Sequence, residues 1–126
     1  MLTHAKLVGF VATAKPAEAK RFYQEALGLT LVEDGPFAIV FDANGTTVRI
    51  QKVLAVSVSG YTAIGWEVDD LNAVAKRLTA HGISLQRYDG LEQDRIGVWR
   101  TPDGSFVAWF QDPDGNLLSL TQHAVA

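Results

Sequence analysis

Residues 7–28 read LVGFVATAKPAEAKRFYQEALG, and residues 62–82 read TAIGWEVDDLNAVAKRLTAHG. Each stretch runs from an apolar segment, through a polar break, into an apolar stripe of helical period that ends in glycine. In the first, Leu7–Thr13 (LVGFVAT) has the β-branched, apolar composition of a buried strand. Pro16 suits the first helical position, where its missing N–H would be unpaired in any case. Ala19, Phe22, Tyr23 and Ala26 then fall at i, i+3, i+4 and i+7, and Gly28 is placed to end the helix in the left-handed region. In the second, Thr62–Val68 is the strand and Asp69 or Asp70 caps the helix by accepting a backbone N–H bond. Leu71, Val74, Ala75 and Leu78 form its stripe, and Gly82 stops it.

The segments after the two helices repeat as well. Leu29–Glu33, Phe37–Phe41 and Thr47–Gln51 read as short strands, separated by the turns Asp34-Gly35-Pro36 and Asn44-Gly45. After Gly82, the strands read as Ile83–Tyr88, Phe106–Phe110 and Leu117–Thr121. Val8 and Ala63 stand 55 residues apart, Gly28 and Gly82 stand 54 apart, and the turns Asp42–Gly45 and Asp112–Gly115 stand 70 apart. The second copy is therefore longer by 70 − 55 = 15 residues, a surplus that Ile96–Thr101 (IGVWRT) fills as an extra hairpin turning at Pro102-Asp103-Gly104. The chain thus reads as two βαβββ modules, about 1–56 and about 61–126, within a single 1–126 domain of the α+β class. Ala55–Gly60 (AVSVSG) is the linker between them.

Composition removes several chemistries. The 126 residues carry no cysteine, which excludes thiol catalysis, Cys-ligated zinc, iron–sulfur clusters and disulfides. Eleven Lys and Arg against 14 Asp and Glu give a net charge of −3, with no basic run to suit nucleic acid or an anionic membrane. No apolar run approaches the ~20 residues of a membrane span, and no secretory leader opens the chain, so the expected location is cytoplasmic.

Three segments carry a family resemblance: RFYQEALGL (21–29) in the first helix, VDDL (68–71) at the entry to the second, and DPDGN (112–116) in the last turn. In this order and spacing they resemble the vicinal oxygen chelate superfamily, which includes glyoxalase I, extradiol dioxygenases and bleomycin-resistance proteins. The resemblance implies paired βαβββ modules whose mixed sheets curl around a cavity, and often a homodimer. Many members hold a divalent metal there with His, Gln or Glu on the first and last strands of each module. The corresponding positions here are Val8, Arg49, Ala63 and Ser119, and a two-residue slip in either direction recovers no His/Glu set. The expectation is therefore no metal and no other cofactor.

Period-two alternation puts Thr47, Arg49 and Gln51 on the face that carries the family's ligand positions, and Glu67 on the corresponding face of the second module. Two readings of Arg49 stand: an ion pair with Glu67, or a fork onto an anionic group of a ligand. Trp99 and Trp109, with Phe10, Phe41 and Tyr88, suit the wall of an aromatic-lined cavity, and Trp66 faces the opposite way, into the core. His81 fits the last turn of a helix, where a cation suits the dipole, whereas His4 and His123 read as frayed terminal residues. The candidate ligand-binding residues are Phe10, Arg49, Gln51, Glu67, Trp99, Trp109 and Ser119. They describe a metal-independent binding protein for an apolar or aromatic small molecule bearing an anionic group. The alternative is an enzyme: a metal-free lyase or isomerase in which Glu67 acts as base and Arg49 as oxyanion partner, or a glyoxalase or dioxygenase with a divergent site.

Overall fold

The computed structural model describes residues 1–125. It divides into two units, Met1–Val58 and Ser59–Ala126, with the boundary inside the expected linker. In the first unit the opening apolar run becomes β1 (Val8–Thr13), and Pro16 begins α1 (Pro16–Arg21). The helix then widens into a π-helical turn over Phe22–Ala26, closed by Leu27 N–H donating to Phe22 O at 3.0 Å. The periodic stripe signalled the helix but not this widening. Gly28, at φ +73°, ends it as expected. Three strands complete the unit: β2 (Thr30–Asp34), β3 (Ala38–Ala43) and β4 (Thr46–Lys52). The sheet order is β1-β4-β3-β2, with β1 parallel to β4 and the other pairs antiparallel.

The second unit repeats the plan with β5 (Ile64–Glu67), α2 (Leu71–Ala80), β6 (Trp99–Arg100), β7 (Phe106–Gln111) and β8 (Leu117–Gln122). Its order, β5-β8-β7-β6, again sets the first strand parallel to the last. The two registers agree to the residue. Phe10 pairs with Arg49 and Gly65 pairs with Ser119, which reproduces the offsets 65 − 10 = 55 and 119 − 49 = 70. Both sheets are mixed and four-stranded, an α+β arrangement.

Each helix covers one sheet face. In the first unit Val11, Thr13, Ile39, Phe41, Val48 and Ile50 are buried on that face, and the Tyr23 ring lies 6.1 Å from Phe41. In the second, Leu71, Ala75 and Leu78 of α2 are buried, as are Ala108, Phe110, Leu118 and Leu120 of β7 and β8. Of the two possible caps, Asp70 is the one used: its Oδ1 accepts from Ala73 N–H at 3.1 Å. Gln122 of β8 takes a second first-turn amide, its Oε1 accepting from Leu71 N–H at 2.8 Å. At the β7–β8 turn the buried Asp112 accepts from Asp114 N–H (3.0 Å), Asn116 N–H (2.9 Å) and Asn116 Nδ2 (2.8 Å).

Two expected strands are corrected. Ile83–Tyr88 forms no strand; only Gln86 N–H reaches the sheet, donating to Trp109 O at 2.7 Å. Ile96–Thr101 keeps just Trp99–Arg100 as strand. Side chains have taken the backbone groups that a ladder needs. Asp94 Oδ1 accepts from the N–H groups of Ile96, Gly97 and Val98 at 2.9–3.0 Å. Gly97 sits at φ +110°, where a Cβ would come within 2.9 Å of Leu85 Cβ. Among the described residues no helix is long and apolar enough to cross a membrane.

Candidate functional site

The sheet faces turned away from the helices carry all seven candidate residues, because each lies an even number of positions from its neighbours on that face. In the first unit β4 presents Thr47, Arg49 and Gln51. Arg49 has Phe10 of β1 on one flank and Val40 of β3 on the other. It is half-buried between these apolar residues, and Phe10 is 56% exposed. Gln51 pairs with Ala12 and Ala38, small residues that leave its amide uncovered.

Among the described residues Arg49 makes no ion pair within its unit, where the two salt bridges go to Asp34: Lys52 at 2.9 Å and Lys20 at 3.3 Å. The hydrogen bond from Lys52, then that from Lys20, holds the Asp34 carboxyl below the usual carboxylate range. Phe41, expected near the candidate aromatics, lies on the helix-covered face against Tyr23, fully buried. Its position one residue out of phase with Val40 accounts for this.

In the second unit one row across the sheet is Gly65, Ser119 and Trp109, and the next is Glu67, Thr121, Val107 and Trp99. Diagonal placement brings Trp99 and Trp109 into a stack, with ring centroids 6.1 Å apart and planes at 23°. Tyr88 meets Trp109 edge-on at 5.3 Å and 85°. A Cβ at Gly65 would overlap Ser119 Oγ, so the bare glycine makes room for the Ser119 hydroxyl beside the indole wall. Trp66 lies out of phase with these residues and is half-buried, as its alternation requires.

Glu67 is paired, and its partner is His123: Nε2 and Oε1 stand 3.3 Å apart, both side chains largely exposed. The reading of His123 as a frayed terminal residue is corrected, because β8 runs to Gln122 and delivers the imidazole to the end of β5. Spacing within one strand cannot show a partner that arrives from another. A cavity of about 370 Å³ lies here, lined by Glu67, Val68, Asp69, Gln122, His123 and Val125. It includes only Glu67 of the candidate residues.

The resemblance assigns the family's metal-ligand positions to Val8 and Arg49 in the first unit and to Ala63 and Ser119 in the second, and the register relates the two pairs by the same offsets, 55 and 70, as the repeat. Two alkyl groups, a guanidinium and one neutral hydroxyl do not fit a divalent cation, which needs several O or N donors free of positive charge. Among the described residues no three His, Asp or Glu side chains gather to hold one.

Comparisons with known proteins agree on the fold. The sequence profile of the Glyoxalase/Bleomycin resistance protein/Dioxygenase superfamily matches residues 2–120. No curated protein matches the sequence. Among solved structures, lactoylglutathione lyase from Agrobacterium tumefaciens superposes with a TM-score of 0.75 at 16% identity, covering 97% of this chain and 96% of that one. A superfamily member from Sphaerobacter thermophilus DSM 20745 gives 0.74 at 22% identity, covering 98% and 100%. TnmS3, an antibiotic binding protein from Streptomyces sp. CB03234, gives 0.69 at 23% identity, covering 98% and 99%.

Proposed function

Since the chain belongs to the Glyoxalase/Bleomycin resistance protein/Dioxygenase superfamily, we propose that it is a metal-independent binding protein for an apolar or aromatic small molecule that carries an anionic group. The observation that carries this reading is Arg49, a half-buried cation without an ion pair among the described residues of its unit, set between Phe10 and Val40. A cation so placed recognises a carboxylate, sulfonate or phosphate by charge-assisted hydrogen bonds. Phe10 and Gln51 flank it with apolar and amide surface, and in the second unit the Trp99–Trp109 stack offers a flat apolar surface of its own. Ser119 and Glu67 complete the polar complement on their face. The likeness to an antibiotic binding protein supports a binding role for the fold. In this reading the two units form one glyoxalase-like domain that acts in the cytoplasm as a homodimer, without nucleic acid or membrane partners.

The test uses two fluorescent probes that differ by one charged group, anilinonaphthalene sulfonate and neutral phenylnaphthylamine. The sulfonate should bind the wild type more tightly, and Arg49→Ala should erase the difference, a loss of about 1.5–3 kcal/mol. Equal binding of both probes by wild type and variant overturns the anion-recognition reading. Turnover of a glyoxalase or dioxygenase substrate would replace it with the enzyme reading.

A further inference from the structure

We propose that Gln93 is a positioning residue that assembles the aromatic wall of the second unit, a role that rests on the reading of that wall as ligand-binding surface. The three rings come from three separate segments, and two of those segments have little or no regular structure. Tyr88 lies in the irregular stretch after α2, Trp99 in a two-residue strand, and Trp109 in β7. Gln93 connects all three. Its Oε1 accepts from the backbone N–H of Tyr88 at 2.7 Å. Its Nε2 donates to Gln86 O at 2.9 Å and to Gly97 O at 2.7 Å. Its backbone forms an isolated bridge with Trp99. Gln86, held by that amide, donates its own N–H to Trp109 O at 2.7 Å. The half-buried Gln93 side chain is therefore one hydrogen bond from Tyr88 and, through Gln86, two from Trp109, while Trp99 bridges the backbone of the same residue and follows Gly97, which the amide also holds.

The chemistry requires an amide. These partners present one N–H and two C=O groups, so the side chain must accept once and donate twice. Glutamate lacks the donors and lysine lacks the acceptor. Without the amide, the segment has no helix or ladder to fall back on, and its backbone turns to water. The ring of Tyr88 then loses its edge-on contact with Trp109. Held in place, the three rings form a surface set before any ligand arrives, which spares the ordering cost of binding.

Gln93→Ala and Gln93→Glu test this, read first without any ligand. Near-ultraviolet circular dichroism reports the fixed asymmetry of the Tyr88, Trp99 and Trp109 rings, and far-ultraviolet spectra confirm that the chain remains folded. Both variants should lose aromatic ellipticity, Gln93→Ala as much as Tyr88→Ala does. Arg87→Ala is the control: Arg87 Nη2 donates to the carbonyls of Asp94 and Arg95 in the same segment, with no bond to a ring-bearing backbone. It should leave the aromatic signal unchanged. Binding of anilinonaphthalene sulfonate should then weaken about tenfold in Gln93→Ala. Wild-type aromatic ellipticity in either Gln93 variant, or an equal loss in Arg87→Ala, overturns the positioning role. Should Gln93→Ala fail to fold, Gln93→Glu still decides, because it keeps the acceptor for Tyr88. If Trp109→Ala leaves sulfonate binding intact while Gln93→Ala flattens the aromatic spectrum, the ligand-surface reading fails and the positioning of the rings stands.

Discussion

Gly65 and Ser119 show how one missing side chain shapes the candidate surface. The Ser119 hydroxyl occupies the place where a Cβ on residue 65 would go, and Ser119 O lies 3.2 Å from that point. Gly65→Ala should therefore destabilise the protein by about 1–3 kcal/mol, the usual cost of overpacking. Adding Ser119→Ala removes the closer clash and should recover part of the loss, so a double-mutant cycle in urea should give a favourable coupling. Additive effects would mean that the two side chains do not compete. Asp34 makes a different kind of prediction. Its carboxyl titrates below the usual range because Lys52 and Lys20 donate to it. A depressed folded pKa gives stability that is present above the unfolded value and is lost as pH falls through the folded one. Asp34→Asn should be less stable than wild type at neutral pH, and the two should converge in acid below the carboxylate range. A gap that persists in acid would assign the effect to packing instead of charge.

At the level of elements, most strands were legible because their signals are local. Asn44-Gly45 and the Asp112–Gly115 turn mark hairpins, and alternation tells which side chains share a face. Alternation also placed Thr47, Arg49 and Gln51 on one face, as the ladder has them, whereas the choice of that face as a candidate site came from the family resemblance. What escaped depends on distant partners. The segment Ile83–Tyr88 has strand composition, yet Gln93 takes its Gln86 C=O and Tyr88 N–H, and Asp94 takes the N–H groups of Ile96, Gly97 and Val98 that a partner strand would use. The Glu67–His123 pair depends on where β8 ends relative to β5. The β7–β8 hairpin has the opposite character, since its turn is built by the sequence DPDGN itself. Asp112→Ala leaves Asp114 N–H, Asn116 N–H and Asn116 Nδ2 without their acceptor in a buried turn. A single bond to a carboxylate carries about 1.5–3 kcal/mol, and because water can replace part of the set, the whole loss should be of at least that size. Thermal and urea unfolding should show such a loss, and hydrogen exchange should quicken first in β7 and β8. A loss confined to the noise of a surface substitution would show that the turn holds without the carboxylate, its backbone bonds Asp112 N–H to Asn116 O and Gly115 N–H to Asp112 O among what remains.

For the molecule as a whole, the informative comparison is between the two copies of one plan. They share strand order, the parallel first-to-last pairing and the register, so position 49 in one corresponds to position 119 in the other, and position 8 to position 63. Such a repeat lets the donor chemistry be checked twice at the positions that the resemblance assigns to metal ligands, and neither copy carries a His/Glu pair there. The first has an alkyl group and a cation, the second a methyl group and a hydroxyl. A divalent ion would have to displace its own water for these groups, and Arg49 would oppose its charge at close range. Incubation with manganese, iron, nickel or zinc, followed by gel filtration and elemental mass spectrometry, should therefore leave each metal far below one equivalent per chain. Arg49→Glu should raise retention of at least one of them, because it replaces the opposing charge with a carboxylate donor. One equivalent of a single metal on the wild type would mean that ligands outside these four positions do the binding, and metal-assisted chemistry would then displace anion recognition as the role of this fold here.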